Sequence, residues 1–532
     1  MLISFSYAEG DSTVDYATNQ ESNIEIDPSI DVGFRELNQK YLDNTELCDD
    51  STEDESKFPS QLNQNNISQN RDQNSNLVFH LQNSKIRQGT QLVCYIADEE
   101  FDNEIINVSG ESVTISINGI SYSRTFNEYG LAKLNINLPP ENYTAYFVYS
   151  GNNEYYGKSE HISFNVFLEE CTVIPITQYV HKGNTGYGYK VKLINSLGVP
   201  IANRTITINA NGVPYYRTTN SNGIASLNIN LPEGNYLITS QYPGGNGYNT
   251  SNIVSVTLHV YPSSNLNQPT LTALNSVVKK GSAFQVALKN SNGVGISNQQ
   301  IFITLNGNLL SANTNSNGIA SFTIPSNINA FIYAITIHYL GSSSYKVASL
   351  YKLILVPDMT YDNDFSSNDP NGGTEYSLET YVSNDDEYCQ YSSDYVTSLR
   401  NSLLSTCGDN LEKSIAIQEY CSYMNYSYYA NHVYGGLEAL IRGLSNCADR
   451  AASLVTLSKS AGLAVRYVIG YNDYSSEGHA WAQILIDNIW VVSEPTNTKF
   501  FGQWNHGYTY ANKIYGPLSS DLFNQLNGGI IC

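Results

Sequence analysis

One stretch of this chain is written three times. Gly130-Leu131-Ala132-Lys133-Leu134-Asn135-Ile136-Asn137-Leu138-Pro139 returns as Gly223-Ile224-Ala225-Ser226-Leu227-Asn228-Ile229-Asn230-Leu231-Pro232, and a third version opens Gly318-Ile319-Ala320-Ser321-Phe322-Thr323-Ile324-Pro325. The second and third copies also share the octapeptides Thr219–Ser226 and Thr314–Ser321. A spacing of roughly 95 residues is the size of a small β-sandwich. Apolar and polar residues alternate inside each copy, as in Ile115-Ser116-Ile117-Asn118 and Ile206-Thr207-Ile208-Asn209. That alternation marks half-buried strands. Asn118-Gly119, Asn211-Gly212 and Asn306-Gly307 supply tight hairpin turns, because both residues tolerate positive φ.

The repeats set the domain plan. Residues 76–170, 171–262 and 267–357 read as three sandwiches. Residues 1–75 hold few apolar side chains and the run Glu53-Asp54-Glu55, which reads as a disordered acidic spacer that cannot offset chain entropy by burial. A short strand or helix is expected near Phe34–Leu42. The start, Met1-Leu2-Ile3-Ser4-Phe5-Ser6-Tyr7-Ala8, is either the remnant of a signal peptide or simply apolar. Residues 358–387, centred on Asp369-Pro370-Asn371-Gly372-Gly373, form an acidic linker. Residues 388–532 change character and contain all three tryptophans, Trp481, Trp490 and Trp504.

Charge narrows the class of partner. The formal net charge is -22 with only 14% charged residues, so nucleic acid, which needs clustered Lys and Arg, is excluded as a partner. No stretch approaches the roughly 20 apolar residues that span a bilayer. Eight thinly spread cysteines without a CxxC pair argue against zinc and against a disulfide scaffold. Cys389, Cys407 and Cys421 are read as buried thiols, with a single bridge among them as the alternative.

Three segments of the last domain carry chemistry: Asn446-Cys447-Ala448-Asp449-Arg450, Gly478-His479-Ala480-Trp481, and Trp490-Val491-Val492-Ser493-Glu494-Pro495-Thr496. Helices are expected over Tyr395–Leu404 and Leu411–Met424. Ala451, Leu454, Val455 and Leu457 continue a helix from Cys447 to Gly462, its closing glycine. Val465–Tyr471 reads as a strand, and His479–Ile486 with Ile489–Ser493 as a hairpin about Asp487-Asn488. A thiol at a helix start feels the positive end of the dipole, which lowers its pKa. With a two-residue turn, Ile486 faces Ile489 and His479 faces Thr496. Glu494 then lies diagonal to His479 on the same face, within reach of the ring. Cys447, His479 and Glu494 are the candidate nucleophile, base and orienter. Asp487 is read as a turn residue, and Arg466 and Gln483 as structural.

These residues carry two resemblances. Leu197-Gly198-Val199-Pro200-Ile201-Ala202-Asn203, followed by Thr-Asn-Ser-Asn-Gly-Ile-Ala, resembles the bacterial Ig-like repeats of invasin and adhesin stalks, which implies spacers that are less often adhesive. Cys447-Ala448-Asp449, Gly478-His479-Ala480-Trp481-Ala482-Gln483, Ile486-Asp487-Asn488-Ile489-Trp490 and Phe500-Phe501-Gly502-Gln503-Trp504-Asn505 resemble the transglutaminase-like cysteine hydrolase superfamily. Within it they look most like pseudomurein endoisopeptidase-like domains of methanogen adhesin-like surface proteins. The chain departs from that pattern at Ser445, where the family has Gly, and at Glu494, where it has Asp. The fold class expected is therefore multidomain: the spacer, three all-β Ig-like sandwiches, and a C-terminal α+β papain/transglutaminase-like domain. The resemblance implies an extracellular, cell-surface or cell-wall hydrolase acting on an amide or isopeptide bond of a wall peptide or surface protein. It implies no required cofactor, although calcium could support the acidic loops. The rivals are an amine acyltransferase with the same residues and a non-catalytic adhesin.

Overall fold

Asn-Gly pairs close the hairpins of all three sandwiches as their chemistry requires. The structure, a computed structural model, describes residues 76–99, 104–184, 187–357, 389–427, 433–471, 478–496, 501–502 and 513–515. Asn118, Asn211 and Asn306 have φ of 51°, 52° and 49°, each followed by a left-handed glycine. Type I′ turns of this kind match the right-handed twist of the flanking strands. They pair Ile117 with Ile120, Ala210 with Val213 and Leu305 with Asn308. The spacer, the linker and the element expected near Phe34–Leu42 lie outside the described residues.

Each repeat folds as two sheets over a single apolar core. In the second, Cys171–Pro175, Tyr189–Asn195 and Ile224–Leu227 form one sheet. The other runs Tyr179–His181, Val254–Tyr261, Gly234–Gln241, Thr205–Ala210, Val213–Thr218. The last four positions of that order recur in the first sandwich, from Tyr156–Phe167 to Ile120–Thr125, and in the third, from Ala348–Val356 to Asn308–Asn313. Alternate residues such as Ile206, Ile208 and Val256 are fully buried, as a half-buried sheet demands. The first sandwich forms one compact unit ending at Phe167, and the chain from Leu168 onward forms another.

The shared octapeptide makes the same corner twice. Asn220 Oδ1 accepts N–H bonds from Asn222 and Ile224, and Asn315 Oδ1 accepts them from Asn317 and Ile319. Thr219 Oγ1 donates to the Ile201 carbonyl at 2.8 Å, and Thr314 Oγ1 to that of Ile296 at 2.7 Å. Gly223 and Gly318 have φ of 70° and 75°. A Cβ there would stand 2.6 Å from the Leu193 carbonyl oxygen and 2.5 Å from that of Leu288. The repeat is thus kept because backbone packs against backbone at this corner.

The second and third sandwiches dock onto the C-terminal domain. Four helices are described there: α1 (Asp394–Leu403), α2 (Asn410–Ser422), α3 (Gly436–Arg442) and α4 (Cys447–Ser460). The strands β1 (Val465–Tyr471), β2 (Gly478–Ile486), β3 (Ile489–Ser493) and β4 (Lys513–Tyr515) lie in the order β3-β2-β1-β4. Helix α2 meets both sandwiches. Lys192 of the second reaches Glu412 at 2.7 Å, both side chains 6% exposed, and its Nζ lies 4.6 Å from the centre of the Tyr351 ring of the third. Lys352 reaches Asp409 at 2.5 Å, and Asn195 Nδ2 donates to Glu419 at 2.9 Å. A bare spacer needs no buried, charge-matched face of this kind.

Between the second and third sandwiches, His338 is fully buried, with Nδ1 3.0 Å from Ser349 Oγ. Its ring meets the edge of Tyr179, which stacks on His259. Burial pushes His338 from 6.5 down to about 4 and also lowers His259.

Two predictions follow from these packing facts. Gly318→Ala should lower stability by about 1–3 kcal/mol, read from the urea midpoint, because it combines positive φ with a collision against backbone. The unfolded chain binds a proton at His338 below pH 6.5 that the folded chain refuses until about pH 4. Stability should therefore be complete above 6.5 and fall by about 3 kcal/mol as pH drops through that window. His338→Gln should flatten this part of the stability–pH curve.

Candidate active site

The segment before Cys447 is locked in place by its neighbours. Leu444–Ser445 pairs in parallel with Asn425–Tyr426. Arg450 donates through Nε to Ser445 Oγ at 3.0 Å and through Nη2 to the Met424 carbonyl at 2.6 Å. Ser445 is fully buried, so its hydroxyl has a structural partner that glycine, the usual residue of the resembling family, would lack. Asn446 caps α4 by accepting the Asp449 N–H at 2.9 Å. Asp449 Oδ1 accepts the Gly435 N–H at 2.8 Å, drawing the start of α3 onto α4. Gly436 is needed for that approach, since a Cβ would stand 2.0 Å from Thr456 Oγ1.

Cys447 opens α4 and is buried. The helix packs across β1 and β2. Tyr467 Oη donates to the Ala448 carbonyl at 3.2 Å, tying β1 to the first turn. The sequence reading treated Cys447 as a thiol, and here the structure differs. Cys447 is disulfide-bonded. The five other described cysteines carry thiols. Burial raises Cys421 to about 12 despite the nearby Arg450, and raises Cys407 to about 12 as well, so neither ionises usefully at neutral pH.

The hairpin register is as the two-residue turn requires. Asp487 and Asn488 have φ of 51° and 62°, and Ile486 pairs with Ile489. Ala482 pairs with Ser493, so Glu494 follows directly on the strand. His479 sits opposite Gly470 near the start of β2. His479 Nε2 lies 3.4 Å from Glu494 Oε1. Glu494 is fully buried, and the same oxygen accepts the Thr496 N–H at 2.8 Å. The His479 ring stacks near Trp481, centroids 6.0 Å apart.

Other residues act as braces. Arg466 Nε donates to Gln483 Oε1 at 2.7 Å and its guanidinium covers Trp490 at 4.2 Å, the structural role expected of them. Ser493 Oγ donates to Gln418 Oε1 of α2 at 3.0 Å, a link that sequence reasoning missed because nothing local pairs residues so distant. Asp487 carries a second role, taken up below. Trp504 lies outside the described residues. Among the described residues, no cluster of three or more His, Cys, Asp or Glu could hold a metal ion, and no helix is long and apolar enough to cross a membrane.

Two stretches of the sequence match known families. Residues 397–495 match the model of the transglutaminase-like superfamily, and residues 174–240 match macroglobulin domain MG4. No curated protein matches. Among solved structures, a candidate cysteine protease from Cytophaga hutchinsonii is 14% identical, covers 43% of this chain and 72% of its own, and has a TM-score of 0.21. Part of a 1.5-MDa bacterial ice-binding adhesin is 15% identical, covers 53% of this chain and 97% of its own, with a TM-score of 0.18. At such scores the structural likenesses carry no functional argument. The chain therefore contains a transglutaminase-like domain preceded by Ig-like sandwiches.

The cap at Asn446 is open to a direct check. Asn446→Ala should cost about 1 kcal/mol in urea unfolding, and Asn446→Ser much less, because serine retains an acceptor for the Asp449 N–H.

Proposed function

We propose that this protein is a cell-surface cysteine hydrolase that cleaves an amide or isopeptide bond, with the peptide cross-links of a pseudomurein wall as its substrate. The observation that carries this reading is the 3.4 Å approach of His479 to the buried Glu494 inside a transglutaminase-like domain whose helix α4 begins at Cys447. Both the substrate and the surface setting come from resemblance at the quoted sequence motifs.

In this mechanism Cys447 must first be released from its disulfide by a dithiol, which becomes oxidised as the cystine is reduced to two thiols. His479 then takes the Cys447 proton and the thiolate attacks the carbonyl carbon. First-turn N–H groups not taken by Asn446 hold the oxyanion, an effect typically worth on the order of 10²–10³ in rate per donor. The imidazolium returns its proton to the leaving amine, leaving a thioester. Water, deprotonated by His479, hydrolyses it and restores the thiol. Glu494 orients the ring and stabilises its charged form throughout. Its extra methylene relative to Asp is accommodated by the diagonal placement.

The test is release of new free amines from purified pseudomurein by the full chain. Wild type should act after dithiol treatment and lose activity on reoxidation. Cys447→Ala should be inactive with or without reductant. Glu494→Gln should lose about 10²–10⁴-fold in kcat at nearly unchanged KM. Hydrolysis by Cys447→Ala at the wild-type rate would refute the enzyme reading. Product in which an added amine replaces water would convert it to acyl transfer.

A further inference from the structure

We propose that Asp487 is a positioning residue, a clasp that fastens the hairpin carrying His479 and Glu494 to the third Ig-like sandwich. The clasp itself rests on contacts in the structure; its bearing on catalysis rests on the proposed function.

Asp487 takes the first of two left-handed positions in the β2–β3 turn. Asn does that task at least as well, as the three Asn-Gly turns of the sandwiches illustrate. The carboxylate has a different use. Its Oδ2 accepts the backbone N–H groups of both Ser276 and Val277, the latter at 3.0 Å. Two N–H donors on one ionised oxygen form charge-assisted bonds, roughly twice as strong as neutral ones. The Ser276–Val278 segment is itself anchored, because Leu355 N–H donates to the Ser276 carbonyl at 2.7 Å and Val278 N–H to that of Leu355 at 2.9 Å. Leu355 is the penultimate residue of the last strand of the third sandwich.

The same leucine supports the hairpin from a second side. Gly502 N–H donates to the Val492 carbonyl of β3 at 2.9 Å, and a Cβ on Gly502 would stand 2.8 Å from the Leu355 side chain. Helix α2, seated on Lys192 and Lys352 of the sandwiches, holds β3 through Gln418 and Ser493. The hairpin is thus fixed at its turn, along its edge strand and beside Glu494, each time to the same platform.

Leverage makes the turn matter. From Asp487 to His479 is about 26 Å of strand. A tilt of about 3° at the turn moves the far end by more than an ångström, enough to cost on the order of 10² in rate where reacting groups must be aligned.

The experiment compares wild type, Asp487→Gly and Asp487→Asn as full, dithiol-reduced chains. Glycine keeps the left-handed turn and removes the acceptor, while asparagine keeps the turn and a neutral acceptor. Three quantities are read: amide exchange at Ser276 and Val277, the His479 ring resonance, and the pH profile of Cys447 alkylation by iodoacetamide. In Asp487→Gly we expect exchange at least tenfold faster, a displaced His479 signal, about tenfold slower alkylation at pH 6 and a lowered thermal midpoint. Asp487→Asn should recover much of each. Exchange and a His479 signal identical to wild type in Asp487→Gly overturn the clasp. If Asp487→Gly does not fold, Asp487→Asn decides: a partial rise in exchange at Ser276 and Val277, from the weaker neutral acceptor, supports the clasp, and exchange identical to wild type overturns it. A wild-type alkylation profile of an ordinary thiol refutes the proposed hydrolase instead, leaving the clasp to be judged on exchange and the ring signal.

Discussion

The register of one hairpin is what the rest of this molecule serves. Two left-handed residues close it, and from that turn the ladder counts out the positions of an imidazole and a carboxylate. A slip by one residue would send His479 and Glu494 to opposite faces. Period-two geometry alone would permit that slip, and the surroundings forbid it. Ala482 and Ile484 are buried, Trp490 must meet Arg466, and Ser493 must meet Gln418. Each contact is modest, yet all fail together if the register changes.

Docking on the sandwiches brings matched charges together. The Lys192–Glu412 pair is buried, and such a pair gains little net stability after desolvation. What it supplies is selectivity of seating, because breaking one partner leaves an uncompensated charge. Around it, Gly408 N–H donates to Glu412 at 2.6 Å and Tyr351 lies under the ammonium, so the carboxylate and the lysine are both saturated. Burial, with Glu412 and Asp409 nearby, holds Tyr351 far above its usual titration range, which keeps the ring neutral beneath the lysine.

Much of this was legible in the residues, for physical reasons. Alternating strands, Asn-Gly turns and the octapeptide corner are local, and local geometry writes itself into local sequence. So does a helix that starts at Asn446-Cys447 and stops at Gly462, where φ is 74°. The order of Cys447, His479 and Glu494 pointed to the domain that matches the transglutaminase-like superfamily. The contacts between distant segments were not legible. Asp487 satisfies its turn so well that its carboxylate's second use leaves no trace in the pattern. Ser445 looks like a defect beside the family's glycine until Arg450 is seen against it. The oxidised state of Cys447 was not legible either, because eight scattered cysteines do not reveal which of them meet.

The division at Phe167 separates two kinds of freedom. Everything from Leu168 onward shares one set of contacts, and its parts occur in fixed proportion. The first sandwich belongs to a different unit. Gene duplication or loss on its side of the boundary would leave the seat of helix α2 unchanged. The same event among the later sandwiches would dismantle the seat of helix α2. Variation in such a chain is therefore expected to accumulate as length at one end, while the other stays invariant in number.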